Sequence, residues 1–175
     1  MANDNPPVST RRGDDGTTTL LGAGRLGKDG PEIGVLGDID EATSFIGVAR
    51  AEADGELAEL LIASQRLLYR IMGDVAMPKE DNFVGEDDVK FVEDELEKWR
   101  AKTELPKEFV IPGETRLGSL LDVSRSVVRR AERTLVAAGY AKGHPDTIRA
   151  VNRLSDLLFI VARNADKKRT FSRGS

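Results

Sequence analysis

Five stretches of the chain repeat apolar residues at the spacing of an α-helix. In the first of them Ile39, Ala42, Ile46 and Ala49 fall in register, and Gly- or Pro-containing breaks separate the stretches. The last stretch is apolar almost all round, so we expect it to be the central, most buried helix. The pattern predicts helices over residues 38–53, 55–76, 86–102, 115–138 and 145–167.

Five helices of this length predict an all-α fold, an antiparallel five-helix bundle. The segment before them, residues 10–34, is rich in glycine and turn residues, with a short strand expected at 17–21. It is too long for a passive connector, which favours an ordered, functional loop. We expect a disordered tail over 1–9, one domain over 10–168 and a flexible tail over 169–175.

The amino-acid composition limits the classes of protein and the kinds of site that the chain can represent. The chain has 175 residues, of which 32% are charged and 39% hydrophobic, as in a soluble domain. "MANDNPPVST" lacks an apolar run, so no signal peptide is expected. Zero cysteines fit a reducing cytoplasm and exclude disulfides and thiolate metal sites. The single histidine, His144, excludes a multi-histidine zinc site and is expected to be an exposed loop residue.

The stretch "RSVVRRAERTL", residues 125–135, concentrates four arginines in a chain of net charge −4. Arg125, Arg129 and Arg133 lie on one helical face, where like charges repel by a few tenths of a kcal/mol. The acidic balance and 5% aromatic residues argue against a nucleic acid, so a small anion is the favoured partner. The alternative is a solvated face, with Asp122 and Glu132 pairing with the arginines.

Two glycine-rich motifs lie in the N-terminal loop. "TRRGDDGTTTL" offers turn glycines at Gly13 and Gly16, which suit an anion-binding concavity, although an ordinary polar turn has the same composition. "GAGRLG" (22–27) matches the dinucleotide fingerprint. We expect no helix to follow it, because residues 28–31 break the pattern, and we therefore exclude a Rossmann unit.

Polar residues interrupt the last helix in "VNRLSDLLFIVAR" (151–163). Asn152, Ser155 and Asp156 share one face, and Arg163 closes the stretch. A buried amide needs partners, so Asn152 either bonds to a neighbouring helix or contacts a ligand.

The motifs "TRRGDDGTT", "GDIDEATSFIG", "FVIPGE", "SRSVVRRAER" and "VNRLSDLLFIVAR" follow one another along the chain. In this order they resemble the PduO-type ATP:cob(I)alamin adenosyltransferases, over about residues 10–163. The resemblance implies a homotrimer of five-helix bundles that binds ATP between subunits. It implies transfer of the 5′-deoxyadenosyl group of ATP to the cobalt of cob(I)alamin, with release of triphosphate, in cobalamin biosynthesis. The chain departs from the family pattern at Leu36, where an aromatic residue is usual, and at Glu114, where a glycine is usual.

The resemblance also implies roles for individual residues. Asp40 would pair with Arg125 across the subunit interface, and Arg129 would contact the reacting phosphates. Phe109 would cover the lower face of the corrinoid and remove the axial ligand, which makes Co(II) easier to reduce; the alternative is a core aromatic. The residues implied for the nucleotide are Thr10, Arg11, Arg12, Gly13, Thr18, Lys28, Arg129, Arg130, Glu132, Arg133 and Asn152.

The resemblance implies Mg²⁺ bound with the ATP, no metal ligand from the chain itself and no protein nucleophile, because Co(I) attacks the ribose carbon. Expected partners are ATP, the corrinoid, a reductase and an adenosylcobalamin-dependent enzyme, without nucleic acid or membrane. Two alternatives remain open at this point. One is a non-catalytic carrier or sensor on the same fold, and the other is a helical interaction protein whose arginines bind acidic partners.

Overall fold

A computed structural model describes residues 9, 11–77, 83–166 and 168–172; of the predicted site residues, Thr10 lies outside this set. The described residues are mostly helical, as predicted. No helix among them combines the length and apolar character that a membrane crossing requires. The helices are α1 (Pro31–Ala51), α2 (Gly55–Ala76), α3 (Glu86–Ala101), α4 (Arg116–Ala137), α5 (Tyr140–Gly143) and α6 (Pro145–Ala165). The strands are β1 (Thr17–Leu20), β2 (Gly24–Gly27), β3 (Val110–Ile111) and β4 (Thr170–Phe171).

The long helices enclose one hydrophobic core. Helix α4 packs against α1 and α6, α2 packs against α1, and α3 packs against α6. Helix α6 has eleven buried residues, more than any other described element, so the prediction of a deeply buried last helix is confirmed. Four of the five predicted helices agree with the observed bounds to within two residues.

The first helix differs from the prediction. It begins at Pro31, seven residues before the predicted start, so our expectation that residues 28–31 prevent a helix is wrong. Proline is well suited to the first helical position, because its φ angle is already helical and its missing N–H needs no partner there. Glu32 in the first turn also complements the helix dipole.

The N-terminal loop contains an antiparallel hairpin. The strand expected at 17–21 is present as β1, and β2, which the sequence analysis missed, pairs with it from Thr17 opposite Gly27 to Leu20 opposite Gly24. A dinucleotide-binding unit needs parallel strands joined by a helix. The antiparallel hairpin therefore excludes a Rossmann unit at "GAGRLG", although a helix does follow the motif.

A second small strand pair joins the C-terminal segment to the connector before α4. Val110 lies opposite Phe171 and Ile111 lies opposite Thr170 in an antiparallel pair. The backbone N–H of Ser172 donates to the carbonyl of Phe109 at 2.9 Å. Part of the segment predicted as a flexible tail thus pairs with the "FVIPGE" connector.

Candidate functional site

An open pocket of about 410 Å³ lies between the "FVIPGE" connector and helices α4 and α6; we call it the connector pocket. Phe109 at its edge is 86% exposed, so its alternative role as a core aromatic is wrong. Arg125 on α4, sixteen residues after Phe109 in the chain, also lines this pocket. The apolar lining includes Phe109, Val110 and Phe159, and the charged lining includes Asp122, Arg125 and Arg163.

The inner wall of the connector pocket is charged and buried. Arg163 binds Asp122 through Nη2, and Arg125 Nε donates to Asp122 Oδ1 at 3.3 Å. The sequence analysis noted Arg163 only as a polar residue in an apolar helix, and treated Asp122 only as a surface partner. The available signal was the run "LLFIVAR", where a charged side chain in a buried helix requires a buried counter-ion.

The four arginines at residues 125–135 of α4 fall into two groups. Arg130 Nε donates to Asp38 at 3.0 Å and Nη2 binds Glu41, both on α1, and the hydrogen bond to Asp38 is the main reason that the pKa of Arg130 is raised. Arg125 is held by Asp122. Pairing with Asp122, which the solvated-face alternative expected, is therefore confirmed for Arg125, whereas Glu132 binds no arginine among the described residues.

Arg129 and Arg133 form the other group. Both are exposed, and no carboxylate in the described part of the chain forms an ion pair with either of them. Arg133 Nη1 donates to the carbonyl of Arg129, one helical turn earlier, at 3.1 Å. Their guanidinium groups therefore present uncompensated positive charge that suits an external anion.

A chain of polar contacts joins α4, α6 and α3 beside the arginines. Asn152 Nδ2 donates to Glu132 Oε1 at 2.9 Å, and Asn152 Oδ1 accepts from Arg153 Nη1 at 2.9 Å. Arg153 in turn donates to Glu93 at 3.3 Å. The hydrogen bond from Asn152 to a neighbouring helix, one of the two alternatives predicted for this residue, is confirmed. Asp156 is exposed.

A second pocket, of about 310 Å³, lies within the N-terminal hairpin; we call it the loop pocket. Its lining includes three predicted nucleotide residues, Arg12, Gly13 and Thr18, and also Arg25, which the analysis missed because it missed β2. Lys28 Nζ donates to the carbonyl of Gly13 at 2.8 Å, which folds the loop back on itself.

The outer edge of the loop pocket is held by an exposed ion pair. Arg25 Nη2 lies 2.8 Å from Asp15 Oδ2 and also donates to the carbonyl of Arg12 at 2.9 Å. Hydrogen bonds from Thr17 to Asp15 lower the pKa of that carboxyl. Asp15 therefore remains a charged partner for Arg25 at neutral pH.

The structure does not bring all predicted residues into one place. The lining of the loop pocket contains no arginine of α4, and Asp40 is exposed on α1, where no described side chain pairs with it. The predicted Asp40–Arg125 contact joins two subunits and stays a prediction. Within the described residues, no group of three histidine, aspartate or glutamate side chains is placed to hold a metal ion.

Comparisons with known proteins agree with these features. The family model for cobalamin adenosyltransferase matches residues 8–165. The corrinoid adenosyltransferase of Bacillus subtilis (strain 168) is 38% identical over 162 residues, which cover 88% of this chain and 83% of that protein. A variant PduO-type ATP:corrinoid adenosyltransferase from Lactobacillus reuteri, complexed with cobalamin and ATP, matches with a TM-score of 0.83 at 28% identity, covering 96% of this chain and 100% of that chain. A further variant from that organism, complexed with ATP, has a TM-score of 0.84 at 28% identity and covers 95% of this chain and 100% of that chain.

Proposed function

The chain belongs to the cobalamin adenosyltransferase family, and from this membership we propose which residues carry out its reaction. It is a PduO-type corrinoid adenosyltransferase, an enzyme that transfers the adenosyl group of ATP to a corrinoid. In detail, the 5′-deoxyadenosyl group moves to the cobalt of cob(I)alamin, and triphosphate leaves. The observation that carries the assignment of sites is a neighbourhood on α4. Arg125 lines an apolar pocket, and exposed Arg129 follows one turn later, about 6 Å along the helix.

We assign the corrinoid to the connector pocket. An exposed phenylalanine gains about 1.5–3 kcal/mol when an apolar surface covers it, and the face of the corrin ring offers such a surface. In that position Phe109 excludes water and the corrinoid's own base from the lower axial site. Cobalt then becomes four-coordinate, and Co(II) is easier to reduce to Co(I).

We assign the triphosphate of ATP to the exposed arginines of α4. Arg129 and Arg133 have no internal carboxylate among the described residues, so their charge is available for the phosphates and for the leaving triphosphate. Arg130, Glu132 and Asn152 support this face, because they tie α4 to α1 and α6. The N-terminal loop completes the nucleotide site with Arg11, Arg12, Gly13, Thr18 and Lys28, and the resemblance also implies Thr10, which lies outside the described residues.

We infer that the chain is a five-helix bundle that forms homotrimers, with ATP bound between adjacent subunits. The lining of the loop pocket contains no arginine of α4, which supports this proposal, because the hairpin of one subunit can then serve α4 of the next. Asp40, which has no partner among the described residues, would bind Arg125 of the partner subunit. Mg²⁺ would enter as MgATP, since Mg²⁺ in such sites is held largely by substrate phosphates and water.

One assay tests the reaction. Purified protein, MgATP and chemically reduced cob(I)alamin should give adenosylcobalamin, which is followed by its absorption spectrum and identified by mass. The protein needs no nucleophile of its own, because cobalt attacks the ribose carbon and the chain supplies position and charge. Tight binding of both substrates without product would instead indicate a carrier or sensor. An ATP-dependent rise in melting temperature would argue against a plain interaction protein.

A complementation experiment tests the shared site. Arg12→Ala and Arg129→Ala, each inactive alone, are co-expressed with two different affinity tags and purified as mixed oligomers. If hairpin and helix come from different subunits, every mixed trimer has one intact site, so about a third of the sites in the purified mixed trimers recover. Recovery should be lost when both changes are placed in the same chain. Mixed oligomers without activity would show that each site lies within one subunit.

We propose the cytoplasm as the compartment, because a chain without cysteine has no need of an oxidising environment. A reductase that supplies electrons to cobalt and an enzyme that uses adenosylcobalamin are the proposed protein partners.

A further inference from the structure

Three charged side chains are buried together beneath the connector pocket; we call them the buried triad, and they are Asp122, Arg163 and Asp166. Arg163 is only 2% exposed, Asp122 is 4% exposed and Asp166 is 7% exposed. Moving a charged group from water into the protein interior costs much free energy unless a group of opposite charge lies close to it. A buried triad in a core that is otherwise apolar therefore calls for a specific role.

The contacts of the buried triad hold it rigidly. Arg163 Nη2 binds Asp122 Oδ2 and lies 3.0 Å from Asp166 Oδ2. Asp166 Oδ1 accepts from Thr115 Oγ1 at 3.1 Å, and Thr115 is the N-cap of α4. Asp166 also packs directly on the first turn of α4, where a Cβ on Gly118 would overlap its Oδ1. The triad thus fixes the end of α6 against the start of α4.

The charges of the buried triad do not cancel. It contains two carboxylates and one guanidinium, so it has a net charge of −1, and the group that balances it is Arg125. Arg125 Nε donates to Asp122 Oδ1, the oxygen that Arg163 leaves free. The Arg125 side chain is 28% exposed and lines the connector pocket.

The contact through Nε determines what Arg125 can offer a ligand. A guanidinium group has five N–H donors in one plane, and Nε is the inner one. With Nε bound to Asp122, both Nη groups remain for an external acceptor, since no described residue accepts a hydrogen bond from them. The donors are therefore oriented before any partner arrives.

We propose that Arg163 is a positioning residue for the adenosyl transfer, acting through Asp122 to hold the Arg125 guanidinium at the connector pocket. The proposal rests on the proposed function, in which Arg125 contributes to the reaction with Asp40 of the partner subunit. Arg163 Nη2 binds Asp122 and lies close to Asp166, and the side chain is only 2% exposed, so we assign it a positioning role and not a catalytic one. Its effect is preorganisation: the Arg125 donors need no reordering when the corrinoid binds.

The variant Arg163→Lys tests this role, because it keeps the positive charge but lacks the planar fork that joins two carboxylates. With saturating MgATP and pre-reduced cobalamin, we expect kcat to fall about tenfold, as when a reacting geometry is lost by a small displacement. The affinity for ATP, measured without corrinoid, should change less than about twofold, since the arginines for the phosphates are untouched.

A double-mutant cycle separates positioning from general stability. In an Arg125→Lys background, Arg163→Lys should lower kcat by less than about twofold, because the side chain that it positions is already altered. Asp74→Asn is the matched control, since Asp74 is an equally buried carboxylate that binds Thr147 and the backbone of Phe83 in another part of the fold. Its effect should be equal in both backgrounds. An equal effect of Arg163→Lys in both backgrounds would overturn the proposal.

A measurement without substrates keeps this test independent of the reaction. The Nε–Hε resonance of Arg125, identified by its loss in Arg125→Lys, should be protected from exchange in the wild-type protein. It should broaden or vanish in Arg163→Lys. If Arg163→Lys does not fold, Asp122→Ala replaces it, because Arg163 then keeps Asp166 as a partner while Arg125 Nε loses its acceptor.

The proposed function and the positioning role of Arg163 would be contradicted by different results. A wild-type protein that forms no adenosylcobalamin contradicts the proposed function, while the resonance of Arg125 still reports on positioning. A resonance that stays protected in both Arg163→Lys and Asp122→Ala shows that the triad does not hold Arg125, whatever the activity.

Discussion

The connector pocket and the loop pocket differ in how their charged side chains are buried and held. In the connector pocket, Asp122 and Arg163 are buried, bind each other and hold Arg125 in place. In the loop pocket, the corresponding ion pair is Arg25 with Asp15, whose side chains are 46% and 62% exposed. An exposed pair contributes little to stability, since water and salt screen it.

This contrast indicates two ways of making a binding site. The connector pocket has its charged groups oriented in advance by packing, so it should change little when the corrinoid binds. The loop pocket has donors on an exposed hairpin with few apolar contacts, so it should gain order from its ligand. A preformed site suits control of cobalt geometry, whereas a ligand-ordered loop suits closure over a phosphate chain. The predictions below test this contrast, from the largest expected effect to the smallest.

Arg129→Ala should produce the largest loss, at least about 100-fold in turnover, because it removes a charged donor from the reacting phosphates. The oligomer should remain folded, since Arg129 is exposed and has no carboxylate partner among the described residues. The connector pocket should be unaffected, so binding of Co(II) cobalamin should persist. Turnover is measured with pre-reduced cobalamin and MgATP.

Arg100→Ala is the matched control for Arg129→Ala, because Arg100 is an exposed arginine on α3 whose one ion pair among the described residues is with Glu97 at 3.6 Å. It should retain wild-type turnover. Wild-type turnover in Arg129→Ala itself would show that this arginine of α4 does not bind the reacting phosphates.

Phe109→Ala should lower turnover about tenfold when the enzyme starts from Co(II) with a mild reductant, because water then reaches the lower axial position. The loss should be smaller when Co(I) is supplied, since reduction has already occurred. Affinity for ATP should change little. Spectra of bound Co(II) should show less of the four-coordinate species.

Tyr69→Ala controls for the removal of an exposed aromatic side chain, because Tyr69 lies on α2, away from the lining of the connector pocket. It should behave as wild type with both cobalt states. Equal losses from Co(II) and Co(I) in Phe109→Ala, together with a lower melting temperature, would make the side chain a packing residue of the assembly.

The pairing of Asp40 with Arg125 between subunits should give a smaller, coupled effect. Asp40→Asn and Arg125→Lys should each lower activity several-fold, and the double variant should lose less than their product, with a coupling of about 0.5–3 kcal/mol. Light scattering checks that each variant remains an oligomer. Independent, multiplicative losses would show that the two side chains do not meet.

The hydrophobic pattern was sufficient to predict the five long helices, because a repeat of 3.6 residues leaves a direct trace in the sequence, whereas the four-residue α5 is too short to show such a repeat and was not predicted. The start of α1 was misplaced because glycine and proline at 30–31 were taken as breaks, whereas proline there initiates the helix. The resemblance implied separate roles for Phe109 and Arg125, and the structure places both in the lining of the connector pocket. Arg163 and Asp122 were not predicted as a pair, since they are 41 residues apart and only tertiary packing brings them together.

The smallest expected effect concerns the hairpin itself, which should be mobile without nucleotide and ordered with it. Its amides are protected by a strand pair of four residues and by turn contacts such as Lys28 N–H to Gly16 at 2.9 Å and Gly16 N–H to Gly13 at 3.3 Å. Hydrogen exchange over residues 13–28 should slow when MgATP is added, while residues 106–112 of the connector should exchange at an unchanged rate.

The exchange should be measured at pH 7. Hydrogen bonds from Thr17 lower the pKa of Asp15, so its stabilising contribution is present at that pH and is lost only in acid, as the pH falls through that lowered value. A change in exchange rate at pH 7 is then caused by MgATP and not by protonation of Asp15.

A slowing of exchange that is strong in the wild type and weak in Arg129→Ala would show that Arg129 and the hairpin bind the same ATP. Exchange that is unchanged by MgATP would make the hairpin a structural turn, and the contrast between the two pockets would no longer hold.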